Sequence, residues 1–273
     1  MTLPKTTYKT RLAPSPTGHL HLGHVLHIIY IEDIARLFKA SISLRLEDHD
    51  RSRCRPEFEA SIIKDLQWLG VEVPTNLWRQ SGRDKVYQIN LERLMKQGLV
   101  YACACSRKDI QSETTQASGE LRYPGSCRDK NIPLDQPDTS LRLTIPDAPW
   151  TFDDVLKGQL THNPFDQCGD VMIRDRLGQW TYQFAVVIDD LEQGINLIVR
   201  GLDLLSSTAR QLAMRAIIDP VAPMPVFAHH PLLREPTGQK LSKRDQSESI
   251  AKLREDGMTP AQVRELAMSL KQD

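Results

Sequence analysis

The chain has 273 residues, 40% hydrophobic and 26% charged, enough to bury a core in one large domain or two modest ones. Its 35 basic and 35 acidic residues cancel, so global charge makes no case for a polyanionic partner, and a nucleic-acid surface would have to be a local basic patch. The polar start MTLPKTTYKTRLAP lacks the apolar core of a signal peptide, and no apolar run approaches membrane-spanning length. Five cysteines without a secretory signal point to free thiols or a metal in a cytoplasmic protein rather than to disulfides.

In chain order, KTRLAP reads as a short strand ending in a proline turn. Helical spacing follows from about His24 to Lys39. SISLRLED alternates as a strand does, and PEFEASIIKDLQWLG has the proline start and glycine stop of a helix. KVYQINLERLMKQG repeats that signature. This order predicts an α/β protein with a parallel sheet. From Ala102 to about Pro164 glycines, prolines and scattered charges break the pattern, which predicts an insertion between two halves of the sheet. The α/β order returns with WTYQFAVVIDDLEQGINLIVRG as helix then strand, SSTARQLAMRAIID as a helix capped by serine or threonine, and VFAHHPLL as a strand. REPTGQKLSKRDQSES is a polar loop, and the last 25 or so residues have helical spacing.

Two stretches carry chemistry. In APSPTGHLHLGH a glycine-bearing turn opens a helix, where free backbone N–H groups and the helix dipole favour phosphate. His21 and His24, three apart, can face one bound group, and Gly18 and Gly23 permit its close approach. Histidines at a helix start can equally be simple caps. In KLSKR, residues 240–244, two lysines on a loop can close over a triphosphate, or form a solvated charge run.

Together these stretches resemble the two signature motifs of class I aminoacyl-tRNA synthetases, with HLGH for the histidine motif and KLSKR for the lysine motif. RLAPSPTGHLHLGH, LRLEDHDRSR, QSGRDKVY, VYACACSR, YQFAVVIDDLEQGINLIVRG and DLLSSTARQ are similar, in order, to the glutamyl-tRNA synthetase group over residues 9–250. Only 29 residues follow Arg244, too few for that group's helical anticodon-binding region, so the resemblance is to its short branch. The implied fold is a Rossmann-type catalytic domain with an inserted zinc-binding, acceptor-type subdomain, a short C-terminal helical segment and no anticodon-binding domain. The expected divisions are 1–101 and 171–235 for the two catalytic halves, 102–170 for the insertion, and 236–273 for the lysine loop and C-terminal helices. The implied reaction is ATP-dependent activation of L-glutamate without tRNA, then transfer to queuosine at the wobble position of tRNA(Asp). Mg²⁺ is expected to assist, and the protein is expected to be a monomer. The alternatives are a truncated enzyme charging a tRNA 3′ end, a non-catalytic tRNA-binding paralogue, and another histidine-motif nucleotidyltransferase.

Carried over residue by residue, the resemblance places glutamate against Arg11, Leu12, Ala13, Pro14, Ser15, Glu47, Tyr182 and Arg200. Arg11 suits a substrate carboxylate through its bidentate fork, and Glu47 would receive the α-ammonium. On their own, Glu47 reads as an exposed strand-end carboxylate and Arg200 as a surface cation at a strand's C-terminal edge, where open α/β sheets bind ligands. ATP is expected against His21, Gly23, His24, Lys240 and Lys243, with His21, His24 and Lys243 stabilising phosphate charge and Asp203 a lesser candidate. Leu12 replaces a usual aromatic, Leu202 an acid and Arg244 a serine, departures that bear on affinity more than on reaction type.

Cys103, Cys105 and Cys127 supply three thiolates where zinc usually takes four ligands, and no histidine lies between His49 and His162. Water or an acid such as Glu120 would complete a site, or the cluster holds no metal. The short branch uses Cys-x-Cys followed by Tyr-x-x-x-Cys, which implies Tyr123 as the fourth ligand of one structural Zn²⁺. Cys54 and Cys168 read as ordinary thiols.

Overall fold

The computed structural model describes residues 7–113, 121–233 and 248–271. The N-terminal half builds β1 (Lys9–Leu12), α1 (Leu22–Phe38), β2 (Ser41–Leu46), α2 (Pro56–Trp68), β3 (Trp78–Arg79) and α3 (Asp84–Lys96). Then come β4 (Val100–Cys103), α4 (Arg107–Glu113), β5 (Ser140–Leu143), β6 (Trp150–Asp154), β7 (Gly158–His162), α5 (Pro164–Cys168) and β8 (Val171–Arg174). The chain continues through α6 (Tyr182–Glu192), β9 (Leu197–Gly201), α7 (Thr208–Ile218), β10 (Val226–His230), α8 (Ile250–Glu255) and α9 (Pro260–Ser269).

The expected helices form where their spacing places them. Pro56 opens α2 at a position that needs no N–H, and Gly70, at φ 84°, takes the left-handed turn after it. Ser207 precedes α7, but its hydroxyl does not cap the helix; it accepts from Gln183 Nε2 at 3.0 Å. Its helical backbone angles turn the side chain away from the first N–H groups and into the polar cluster described below.

Strands β1, β2 and β3 are parallel in the order β1-β2-β3. A second sheet runs β7-β6-β10-β9, parallel except for the β6–β7 hairpin. Asn196, just before β9, is bonded to Lys9 of β1 through its backbone N–H and its side chain, so the two sheets meet along β1 and β9. The chain therefore winds outward in both directions from the β1–β9 seam, and α1 starts above that seam. This is the topological switch point at which doubly wound sheets bind ligands.

The segment expected as one insertion divides in two. Residues 150–162 form the β6–β7 hairpin, which joins the sheet of β9 and β10: Val155 N–H donates to Phe227 O at 2.8 Å, and Phe152 packs on Phe227. A separate antiparallel sheet, β4-β5-β8, reaches past residue 170 to Arg174. The turn-rich composition hides both, because strand pairing here is settled by partners far away in sequence.

Two main cores result. Leu12, Val25, Leu46, Leu66, Val199 and Val263 lie in the first, which joins β1, β2 and β9 to α1, α2 and the C-terminal helix. Tyr87, Leu94, Leu143, Phe184 and Met214 lie in the second, beneath α3, α6 and α7. Arg264 on α9 forks onto Glu32 of α1 at 2.7 and 3.0 Å, and Arg254 on α8 reaches Asp65 of α2 at 2.5 Å. Among the described residues no helix is long and apolar enough to cross a membrane.

Candidate functional site

His21 is the N-cap of α1, and with His24 it forms a reciprocal capping box. Gly23 N–H donates to His21 Nδ1 at 3.1 Å, and His21 N–H donates to His24 Nδ1 at 3.1 Å. Because both Nδ1 atoms accept, each neutral ring carries its proton on Nε2, a donor suited to phosphoryl oxygen. Capping and ligand binding are thus compatible: the cap sets the tautomer. A Cβ on Gly23 would lie 2.9 Å from His21 Cε1, so any larger residue here would press on the His21 ring. Leu12 to Ser15, His24 and His27 line a cavity of about 120 Å³ at the end of β1. Glu47 N–H donates to Pro14 O at 3.0 Å and Ser15 Oγ donates to Glu47 O at 2.8 Å, fixing this loop to the end of β2.

Beneath the loop lies a buried ionic network. Arg11 Nε donates to Asp190 Oδ1 at 3.0 Å and Arg45 Nη1 to the same oxygen at 2.8 Å. Arg45 Nη2 donates to Glu47 Oε1 at 2.9 Å, and Arg45 is wholly inaccessible to solvent. Burial works against the Asp190 carboxylate, but Arg11 and Arg45 overcome it and hold its pKa below the usual range. Burial, then the Glu47 charge, raises the Tyr182 phenol, while Arg200 and Arg11 pull it down.

Arg200, on β9, is 3% exposed. Its partners are uncharged: Nε donates to His229 Nε2 at 3.0 Å, Nη1 to Gln211 Oε1 at 2.6 Å and Nη2 to Thr208 Oγ1 at 2.7 Å. Burial lowers its pKa to about 10, with Tyr182 opposing. Neither Glu47 nor Arg200 is the exposed group that the isolated sequence allowed.

Several residues of this site were invisible to the motif reading. Arg45 occupies the fully covered end of β2, and Asp189 and Asp190 are two acids inside the apolar run of α6. Charges in otherwise buried elements were the available signal. Asp189 gathers Gln80 Nε2 at 2.8 Å, Arg83 Nε at 2.6 Å and Tyr87 OH at 2.8 Å, so the QSGRDKVY stretch serves to seat α6.

Lys240, Lys243 and Arg244 lie outside the described residues. Past them the chain returns to the histidine motif: Ser249 forms a β-bridge with His21, and Ile250 N–H donates to Leu20 O at 2.8 Å.

The cysteines form a second centre. The Sγ atoms of Cys103, Cys105 and Cys127 lie within 4.8 Å of one another, and those of Cys105 and Cys127 are 3.4 Å apart. A tetrahedral zinc thiolate site has sulfur–sulfur edges of about 3.8 Å. Tyr123 OH sits 3.4 Å from Cys103 Sγ and accepts from Cys127 N–H at 2.9 Å, and the Arg142 guanidinium lies 3.7 Å over its ring. The three sulfurs are grouped closely enough to hold a metal ion, with the Tyr123 hydroxyl beside Cys103. Burial raises the Cys103 thiol, but Tyr123 and Arg142 outweigh it and bring it to about 7. Burial and the neighbouring thiols push Cys105 up to about 12, as expected of thiolates that repel unless a shared cation lies between them. A Cβ on Gly169, at φ 65°, would lie 2.1 Å from Tyr123 O, so only glycine lets β8 approach the cluster.

Residues 7–270 match the family described as tRNA synthetases class I (E and Q), catalytic domain. A Rhodobacter capsulatus protein named glutamyl-Q tRNA(Asp) synthetase is 38% identical over 94% of this chain and 98% of its own length. One of the same name from Geobacter sulfurreducens is 38% identical over 88% of this chain and 77% of its own. Among solved structures, a glutamate tRNA ligase from Elizabethkingia meningosepticum, in complex with its amino acid, superposes with a TM-score of 0.75 at 27% identity. That match covers 93% of this chain and 59% of the ligase.

Proposed function

The chain belongs to the family of class I tRNA synthetase catalytic domains of the E and Q type, and on that basis we propose that it activates L-glutamate with ATP and transfers it to queuosine at the wobble position of tRNA(Asp). It is a ligase. One observation carries the choice of amino acid. In the buried network Arg11 and Arg45 share carboxylates, whereas among the described residues Arg200 donates to His229, Gln211 and Thr208, none of them a carboxylate. A buried guanidinium with no carboxylate bonded to it directly, favoured only at longer range by Tyr182 and Asp190, calls for a ligand carboxylate, and Glu47, whose charge also acts on Tyr182, can receive the ammonium.

In this reading Arg200, with Tyr182 and Arg11, orients glutamate so that its α-carboxylate attacks the α-phosphorus of ATP in line. ATP enters as its Mg²⁺ complex. The Nε2–H groups of His21 and His24 donate to phosphate oxygens as charge builds, and Lys243, with Lys240, neutralises the departing pyrophosphate. Glutamyl-adenylate results, and a hydroxyl of the queuosine ring attacks its acyl carbon, breaking the bond to the phosphate oxygen so that AMP leaves and the hydroxyl proton is released. No covalent enzyme intermediate is required. Cys103, Cys105, Tyr123 and Cys127 would hold a zinc ion that staples the β4-β5-β8 lobe and takes no part in the chemistry.

The test is transfer of labelled glutamate to tRNA(Asp) with and without queuosine, with tRNA(Glu) as parallel acceptor. Label confined to queuosine-bearing tRNA(Asp), and surviving a blocked 3′ end, is expected. Label on tRNA(Glu) would instead make the protein a 3′-end charging enzyme, and failure to exchange pyrophosphate with glutamate present would make it a non-catalytic binder.

A further inference from the structure

Arg200 can serve a ligand only if its guanidinium is held in one plane, and the sheet supplies the means. Parallel register sets His229 of β10 opposite Arg200 of β9, and β6 brings Asp154 opposite Phe227, two residues before His229. Three adjoining strands thereby align Asp154, His229 and Arg200. Arg200 Nε carries only a hydrogen to donate, so His229 Nε2, 3.0 Å away, must accept. The imidazole proton then resides on Nδ1, which donates to Asp154 Oδ2 at 2.5 Å. Asp154 is itself fixed: Oδ1 accepts from the N–H groups of Leu156 at 2.9 Å and Lys157 at 3.1 Å, and Oδ2 from His229 N–H at 3.2 Å. The side chains of Asp154 and His229 are both inaccessible to solvent, so neither meets a substrate directly. Thr208 Oγ1, 3.2 Å from His229 Nε2, closes the same edge of Arg200 through Nη2. With Gln211 accepting from Nη1, the Nε hydrogen and one hydrogen on each Nη are occupied, which leaves two Nη hydrogens, on the group that Tyr182 also hydrogen bonds.

We propose that His229, held by Asp154 in its Nδ1–H form, is a positioning residue that fixes the Arg200 guanidinium plane and so sets the affinity for the amino-acid substrate. This rests on the reading of Arg200 as the residue that meets the glutamate carboxylate. Asp154→Asn is nearly isosteric and keeps an oxygen for the backbone N–H groups. Its amide can donate to His229 Nδ1, however, and so permits the opposite tautomer, whose Nε2–H opposes Arg200.

The experiment measures glutamate-dependent ATP–pyrophosphate exchange and calorimetric binding of L-glutamate for the full chain and for Asp154→Asn, His229→Ala, His229→Gln and Arg200→Lys, with folding followed by circular dichroism. Asp154→Asn and His229→Ala are expected to raise the KM and Kd for glutamate about tenfold, with kcat and the KM for ATP unchanged. His229→Gln, whose amide oxygen can still accept from Arg200 Nε, is expected to recover most of that loss. Should His229→Ala fail to fold, Asp154→Asn and His229→Gln decide the matter. Unchanged glutamate affinity in Asp154→Asn while Arg200→Lys weakens it would overturn the positioning role. An equal decline of kcat and of both affinities would reduce the pair to a structural contact and overturn it too. Unchanged affinity in Arg200→Lys would instead sink the underlying reading of Arg200.

Discussion

Arg11 and Asp190 stand 179 positions apart in the chain and 3.0 Å apart in the fold. The same Asp190 oxygen also receives Arg45, so one carboxylate on α6 joins the ends of β1 and β2. Neutralising that carboxylate would leave two buried guanidinium groups short of a counter-charge. Asp190→Asn is expected to destabilise the protein by about 3–5 kcal/mol. Denaturant unfolding checks this, and a shift below about 1 kcal/mol would count against the network as drawn.

Gly23→Ala separates helix stability from site geometry. Alanine favours an α-helix over glycine by roughly 1 kcal/mol, yet its Cβ would press on the His21 ring. Unchanged or raised thermal stability is expected, together with slower pyrophosphate exchange and a higher KM for ATP. Full activity would mean that the position of the His21 ring does not matter.

Lys243→Ala is expected to slow adenylate formation with little effect on folding. Removing one charge-assisted phosphate contact corresponds to a loss of roughly tenfold or more. Exchange at the parental rate would remove Lys243 from the chemistry.

Metal analysis of the purified protein should find one zinc per chain. Cys105→Ser should release it and loosen the lobe, seen as faster amide exchange in β4 and β5. Tyr123→Phe should weaken zinc retention against a chelator while leaving the three thiols in place. Equal retention in Tyr123→Phe would assign the fourth position to another ligand.

Three histidines set an acid limit on stability. Burial lowers the pKa of His27, reinforced by His230 and Arg11. Burial also lowers His229, against the pull of Asp154, and lowers His230, against its bond to Pro231 O. Each folded pKa lies below the unfolded value of about 6.5, so the unfolded chain takes up protons first as pH falls. Stability should therefore decline as pH falls below about 6.5, over the interval that precedes uptake of protons by the unfolded chain's carboxylates near pH 4, where depressed groups such as Asp154 and Asp190 add their own loss. The urea midpoint should drop over that interval, and His230→Gln should flatten the slope. A midpoint constant over the interval would refute the assignment.

Local pattern was enough for the periodic elements and the chemistry-bearing motifs. Apolar spacing marked α1, α2, α3 and α6, because one face of each is buried and the pattern is local. HLGH, RLAPS and the Cys-x-Cys pair were legible because glycine, proline and clustered ligands narrow the local options. Which charges meet was settled by tertiary packing alone. Asp190 binding Arg11 and Arg45, Asp189 gathering Gln80, Arg83 and Tyr87, and Asp154 orienting His229 against Arg200 are all contacts across strand register and helix packing. The β6–β7 hairpin belongs to the same class: it lies in a turn-rich segment and joins the catalytic sheet through β10. Hydrophobic periodicity reports which face of an element is buried. The identity of what lies across that face is fixed by the fold as a whole, since a one-residue change of register would send every such side chain to the other side of the sheet.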